Sequence, residues 1–511
     1  MKSLIRFIFS RTFRIAVPII LQLWFIIAVI VRLSEGFWEI YTIFTILSMM
    51  IAVYVINSNS NPSFKIAWLV IILGIPLVGG VMYLIFGNKK VPKSLQSSAV
   101  KTAAETIPLF QQDPAVIEEI SVQSETVKKE ICYIWNNAYY PVYKHNETTY
   151  FPDGESSFEQ MMIELKKAKR FIFLEYFIIK PGYMLDTVLE VLIAKVKEGV
   201  KVRLLYDDYG CFVALPENFS KKMAELGIEA HAFNKLRPLL IIQMNNRDHR
   251  KICVIDGIVG FVGGFNLADE YINKTVRFGH WKDSAIMIKG DSVFSLTMMF
   301  LQFFNYESAV ADNYLDYRYD DQDLEKIKGE GYVQPFSDSP TDEEATGYSS
   351  HMNMINQAKH YIYIYTPYLV IDHTMLNALC LAAKNGLDIR LITPHIPDKW
   401  YVHMVTQSNY KILTKNGVKI YEYTKGFVHS KLMVADDEIA IIGTTNMDYR
   451  SYYLHHECGV LLYKTDSIIA MRDDYLKTIE LCQEITYKQC LEVNLFKRIL
   501  QSFLNLLSPI L

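Results

Sequence analysis

The sequence predicts an α/β protein of two similar lobes with pseudo-twofold symmetry, preceded by an N-terminal helical anchor directed at a membrane. Three observations predict it. A short motif occurs twice, a strand-and-helix order replays around each copy, and an excess of apolar residues is confined to the first 90 positions of a 511-residue chain.

The anchor comes first. Three uncharged apolar runs cover residues 15–31, 40–56 and 66–86. The third is long enough, at ~1.5 Å per residue, to cross a hydrocarbon core of ~30 Å. The other two are 17 residues each, the short end for a span. A removable signal peptide needs a cleavage site and then a soluble chain, whereas here more apolar sequence follows. Lys2, Arg6, Arg11 and Arg14 precede the first run, and Lys89, Lys90 and Lys93 follow the third. The positive-inside rule places both flanks in the cytoplasm, which three spans cannot satisfy. The expectation is therefore a cell-membrane anchor over residues 1–92, with two firm spans and a cytoplasm-facing body. Either the first run is re-entrant or interfacial, or one flank violates the rule.

Residues 93–127 are polar and weakly patterned, as in a juxtamembrane linker that leads into helix. A first lobe is then expected over 128–310. "FIFLEYFII" and "KVRLLYDD" read as buried strands, each behind a helical stretch, followed by "HRKICVID" and "GIVGFVGGFN". A second lobe over 346–490 replays the order with "YIYIYTPYL", "DIRLITPH", "HSKLMVAD" and "EIAIIGTTN". Strands alternating with helices of 10–15 residues imply α/β units. Between the lobes, 311–345 is acidic and rich in Gly, Pro and Ser, so it reads as a loop. At 491–511 an amphipathic helix places Phe496, Ile499, Leu500, Phe503 and Leu507 on one face. A terminal core helix and a helix lying in the headgroup plane both fit that pattern.

Composition narrows the partners. A net charge of −3 offers no basic excess for nucleic acid. Seven scattered cysteines with no CxxC pair read as reduced thiols, neither a disulfide framework nor a zinc site. The sequence sets no oligomeric state.

The repeated motif carries the chemistry. His249, Lys251 and Asp256 form H-x-K-x-x-x-x-D, and His429, Lys431 and Asp436 repeat it 180 residues later. One copy is a weak signal, but the agreement continues. Asn266 and Asn446 each lie 17 residues after their histidine, and Gly263 and Gly443 each lie 14 after. Two satisfied core histidines leave that doubling unexplained. On a strand, i and i+2 share a face, so each histidine and its lysine project together. A pseudo-twofold axis then brings two His–Lys pairs face to face as an anion site suited to a phosphodiester. The lysines supply charge and the asparagine amides supply donors. One histidine attacks phosphorus and the other protonates the leaving alkoxide. An ordinary imidazole value of ~6.5 lets one be neutral and one charged.

Each imidazole needs an acceptor behind it. Glu457 is the candidate behind His429, and Asp283 is the corresponding one in the first half, behind His249. Asp256 and Asp436 fit strand ends better than direct participation. With two lysines supplying positive charge, and no zinc or phosphate-loop pattern, a metal-independent and cofactor-free mechanism is expected.

These residues resemble the paired HKD motifs of the phospholipase D superfamily. The stretches "HRKICVIDGIVGFVGGFNLADEYI", "VQPFSDSPTD" and "FVHSKLMVADDEIAIIGTTNMDYRS" resemble bacterial cardiolipin synthases in particular. The resemblance runs from about residue 61 to the carboxyl terminus and implies two phospholipase D-like lobes. It implies that two phosphatidylglycerol molecules give cardiolipin and glycerol through a phosphatidyl-enzyme intermediate, with His249 as nucleophile and His429 as acid. His249, Lys251, Asn266, His429, Lys431 and Asn446 then line the site, supported by Asp256, Asp436 and Glu457. The family usually has Arg where Lys282 precedes Asp283, and the first apolar run is additional to the usual two. Other readings remain open at this level: a membrane-bound hydrolase, a transferase with another donor or acceptor, a nuclease of the same superfamily, or a non-enzymatic scaffold.

Overall fold

The computed structural model describes residues 11–36, 38–87, 91, 93–236, 245–308, 312–319, 324, 326–342 and 344–510. Lys2, Arg6, Lys89 and Lys90, on which the expected orientation rests, lie outside them. So does part of the expected inter-lobe loop.

The amino-terminal runs fold as helices Arg11–Gly36, Trp38–Asn57, Pro62–Gly74 and Pro76–Met82. The third apolar run is therefore not one continuous helix, as its length predicts. Pro76 removes an N–H donor and pushes the preceding residue out of the helical region, and Ile75 adopts φ −132° and ψ 72°. The two halves pack back on Trp38–Asn57, where the Ser48 hydroxyl donates to the carbonyl of Pro76. A Cβ on Gly80 would fall 2.4 Å from that hydroxyl, so the close approach requires glycine. Among the described residues no helix is long and apolar enough to cross a membrane.

The stretch read as a linker is largely helical, at Lys93–Thr106, Pro114–Gln123 and Glu125–Ala138. It buries Leu95, Phe110, Val116 and Ile120 in the core shared with the body.

The first lobe is a mixed seven-stranded sheet. Its order is Glu147–Phe151, Ala285–Lys289, Val259–Gly263, Lys251–Ile255, Phe171–Tyr176, Lys201–Asp207, Glu229–Phe233. The second sheet repeats this order as Tyr332–Asp338, Glu457–Tyr463, Ile439–Gly443, Leu432–Ala435, Tyr361–Tyr365, Asp388–Pro394, Lys419–Tyr423, with Tyr143–Lys144 and Cys482–Ile485 added at its two edges. Tyr332–Asp338 corrects the expectation of a loop over 311–345, because the second lobe begins inside it. Of the two prolines that argued for a loop, Pro335 and Pro340, the first lies in this strand, beyond the two residues that Tyr143–Lys144 pairs. An edge position tolerates a missing N–H. The helix Val293–Ser308 buries Phe300 and Phe304 and packs on strands of both sheets, so one core runs through both lobes. All seven cysteines are free thiols.

Candidate active site

Each motif histidine stands just before the strand that carries its lysine, Lys251–Ile255 or the turn into Leu432–Ala435. The segments entering the two motifs pair across the lobes. Gly426–Val428 runs parallel to His280–Lys282, and Asp248 bridges to His456. In matching bonds, the His249 N–H donates to the carbonyl of His456 at 2.9 Å, and the His429 N–H to that of Lys282 at 2.7 Å.

This pairing decides which acid serves which histidine. Glu457 accepts from His249 Nδ1 at 2.9 Å, and Asp283 accepts from His429 Nδ1 at 2.8 Å. The sequence-based pairing within each half is thereby reversed: each acid crosses to the other lobe's histidine. Repeats in sequence imply self-contained lobes, and only the cross-lobe strands reveal the exchange. Both histidines are buried and line one cavity of about 600 Å³.

The two lysines are held alike, Lys251 on the carbonyl of His249 and Lys431 on that of His429. Burial pushes the first ammonium down to about 8 and the second to about 7, and an arriving anion would favour the charged form of both. Burial and the lysines also hold both imidazoles below their ordinary value, His249 well below and His429 at about 4. The acids differ. Burial pushes Glu457 up to about 8, whereas the imidazole and Lys431 hold Asp283 below the usual carboxylate range in spite of its burial.

The asparagines reach the same cavity. Asn266, however, is committed on both ends of its amide. Its Oδ1 accepts from the Ile178 N–H at 2.9 Å and its Nδ2 donates to the Tyr271 hydroxyl at 2.7 Å. Asn446 Oδ1 is buried without a partner.

Asp256 and Asp436, included among the catalytic candidates, are engaged by backbone at the far ends of their strands. Asp256 lies five residues, about 16 Å at strand rise, beyond Lys251. Its carboxylate accepts from the N–H groups of Lys169, Arg170 and Phe171. Asp436 does the same for Lys359, His360 and Tyr361. Both adopt φ near +55°, at 55° and 56°, so each ends its strand and pins the start of the neighbouring one.

Residues the sequence reading missed flank the acids. His455 and Trp281 each lie two positions before the acid, and their rings approach His249 at 5.6 Å and His429 at 5.3 Å. Aligning "HHE" with "WKD" was the signal available. Lys282 bonds Asp474 at 2.8 Å, a tie between the lobes. Among the described residues one group of three donors, His249, His455 and Glu457, has metal-ligating composition.

Two equivalent sheets with their histidines meeting in one cavity define a protein of the phospholipase D superfamily. The domain family described as "Cardiolipin synthase, PLD-like domain" matches residues 161–290 and 352–478, and "Phospholipase_D-nuclease N-terminal" matches 46–88. The chain belongs to the cardiolipin synthase family, whose members are phosphatidyltransferases. It is 35% identical to the cardiolipin synthase of Geobacillus kaustophilus, over 98% of this chain and all of that one. It is 39% identical to an uncharacterized protein of Streptococcus mutans, over 90% and 99%. A phosphatidylserine synthase of Haemophilus influenzae shares the fold, with a TM-score of 0.57 at 14% identity, covering 76% of this chain and all of that one.

Proposed function

We propose that this chain makes cardiolipin from two phosphatidylglycerol molecules, releasing glycerol. The observation that carries the reading is the pair of cross-lobe His–acid units opening on one cavity with a lysine beside each. In the first step His249 Nε2 attacks phosphorus, the bond to the glycerol headgroup breaks, and His429 gives its Nε2 proton to the departing alkoxide. In the second, His429 takes the proton of a hydroxyl on another phosphatidylglycerol, whose oxygen displaces the phosphohistidine nitrogen. Lys251 and Lys431 neutralise the non-bridging oxygens, and Asn446 faces them with an uncommitted amide. Exchange of one phosphodiester for another gains little free energy, so keeping water out decides the product.

One observation favours the reverse assignment. The His249–Glu457 pair retains a proton near neutrality while His429 is neutral beside an ionised Asp283, which suits His429 as nucleophile. Mapping the trapped phosphatidyl adduct decides between the two, with His249 expected.

The amino-terminal hairpin anchors the enzyme in the cell membrane. Ile43, Ile46, Met49, Met50, Val53 and Ile56 are exposed along one helix. The carboxyl-terminal helix Leu495–Leu507 exposes Leu495, Phe496, Ile499 and Phe503, and touches the Pro62–Gly74 helix of that hairpin. Together they form an apolar surface for the bilayer that supplies the lipids, with the body on the cytoplasmic side.

Purified protein incubated with pure phosphatidylglycerol vesicles is expected to yield cardiolipin and glycerol, with no need of added metal. Phosphatidate in place of cardiolipin identifies a hydrolase and overturns the reading.

A further inference from the structure

The two histidines differ in the residue that stands two positions before each acid. Behind His429, Trp281 donates its indole N–H to Asp283 at 3.4 Å. The equivalent residue behind His249 is His455, whose Nδ1 is buried without a hydrogen-bond partner and stands 3.9 Å from Glu457 Oε1. A buried polar atom without a partner is unfavourable, and this one stands beside a second imidazole and a carboxylate.

We propose that His249, His455 and Glu457 bind a divalent ion of the zinc class, and that the bound ion inhibits the enzyme. One donor atom of each lies within 4.8 Å of the other two, and His249 Nδ1 and Glu457 Oε2 are already 2.9 Å apart. Two imidazoles and a carboxylate, with a fourth position open to the cavity, form the His₂Glu set that zinc takes at about 2.0–2.2 Å. Small ring rotations close the remaining gap. Through Nδ1 the ion leaves the His249 proton on Nε2; through Nε2 it consumes the attacking lone pair. Either mode removes the nucleophile. Lys251, Arg247 and Arg450 face this cluster and oppose a cation, so a dissociation constant in the micromolar range is expected. Trp281 cannot ligate, so the second histidine has no such site.

The binding claim stands on this geometry alone, whereas the inhibition claim rests on the role proposed for His249. Full-length protein in detergent, stripped with chelator, is titrated with Zn²⁺ by calorimetry and with Co²⁺ by visible absorption. One ion per chain is expected. His455→Phe should weaken binding at least tenfold, while Trp281→Phe leaves it unaltered. His455→Asn repeats the test should the phenylalanine variant unfold. No saturable binding, or binding by either His455 variant as tight as that of the wild type, overturns the site. Occupancy should track loss of turnover. A zinc-loaded enzyme with full turnover overturns the inhibition and the role of His249 with it. Absence of cardiolipin synthesis in metal-free protein overturns only the proposed function, since the binding isotherm does not depend on it.

Discussion

The His249–Glu457 and His429–Asp283 pairs occupy equivalent positions in equivalent sheets, with nearly equal hydrogen bonds of 2.9 and 2.8 Å. They differ in what surrounds the acid. Asp283 is reached through Gly264, where a Cβ would fall 2.0 Å from Oδ1, and it accepts the Ser284 N–H. Glu457 faces Thr444, the residue equivalent to Gly264, and accepts its hydroxyl. Both acids are buried, but His429 and Lys431 hold the shorter one below the usual carboxylate range in spite of that burial, whereas burial prevails for the longer one, which holds a proton to about 8. A duplicated frame places the groups symmetrically, and the lining then gives each half a different charge.

The largest effect expected from breaking this pairing is at the histidines. His249→Ala should abolish turnover, by about 10⁴-fold or more, and leave no trapped adduct. His429→Ala should retain transfer from a phosphodiester with an activated leaving group, because such a group needs no proton. An adduct found on His429 reverses the two roles.

Next come the acids. Asp283→Asn removes the charge that stabilises a protonated His429 and should cost about 10³–10⁴-fold, the scale of removing such an acid elsewhere. Glu457→Gln replaces a largely protonated acid with a neutral acceptor, so the expected loss is on the order of tenfold. Equal losses in turnover would show that the two pairs carry the same charge. Gly264→Ala should approach the Asp283→Asn defect, because the new methyl group displaces the carboxylate, whereas Thr444→Val should stay near the Glu457→Gln level.

The distal aspartates sharpen the contrast between structure and chemistry. Asp256→Ala should destabilise by about 1–3 kcal/mol, through the buried N–H groups it releases. Asp436→Ala should cost less, since its Lys359 and His360 partners are exposed. Thermal melts read these shifts, and the folded fraction should turn over normally.

The last effect is in pH-dependent stability. The Glu457 value is raised on folding, so its contribution is fully present below about 4.5 and is lost as pH rises through about 8. His429 is lowered, so its contribution is present above about 6.5 and lost as pH falls through about 4. Glu457→Gln should therefore flatten the alkaline side of the stability profile and leave the acidic side intact. A flattening on the acidic side would contradict the assignment.

The repeated spacing, read as strands, was enough to find two lobes, both His–Lys pairs and both asparagines, because side-chain alternation along a strand is a local rule. The same local rule identified Asp256 and Asp436 as strand ends. The strand Tyr332–Asp338 was hidden because its proline is acceptable only at an edge, and edges are defined by neighbours distant in sequence. The partners of the two acids were hidden for a related reason. Nothing within one repeat records that Gly426–Val428 will lie against His280–Lys282. What the sequence determined is which groups exist and which face of a strand each takes, since that follows from bonded geometry. Which acid meets which histidine, and hence which pair keeps its proton, was decided only by the docking of one lobe on the other, because contact and desolvation are properties of space and not of order along the chain.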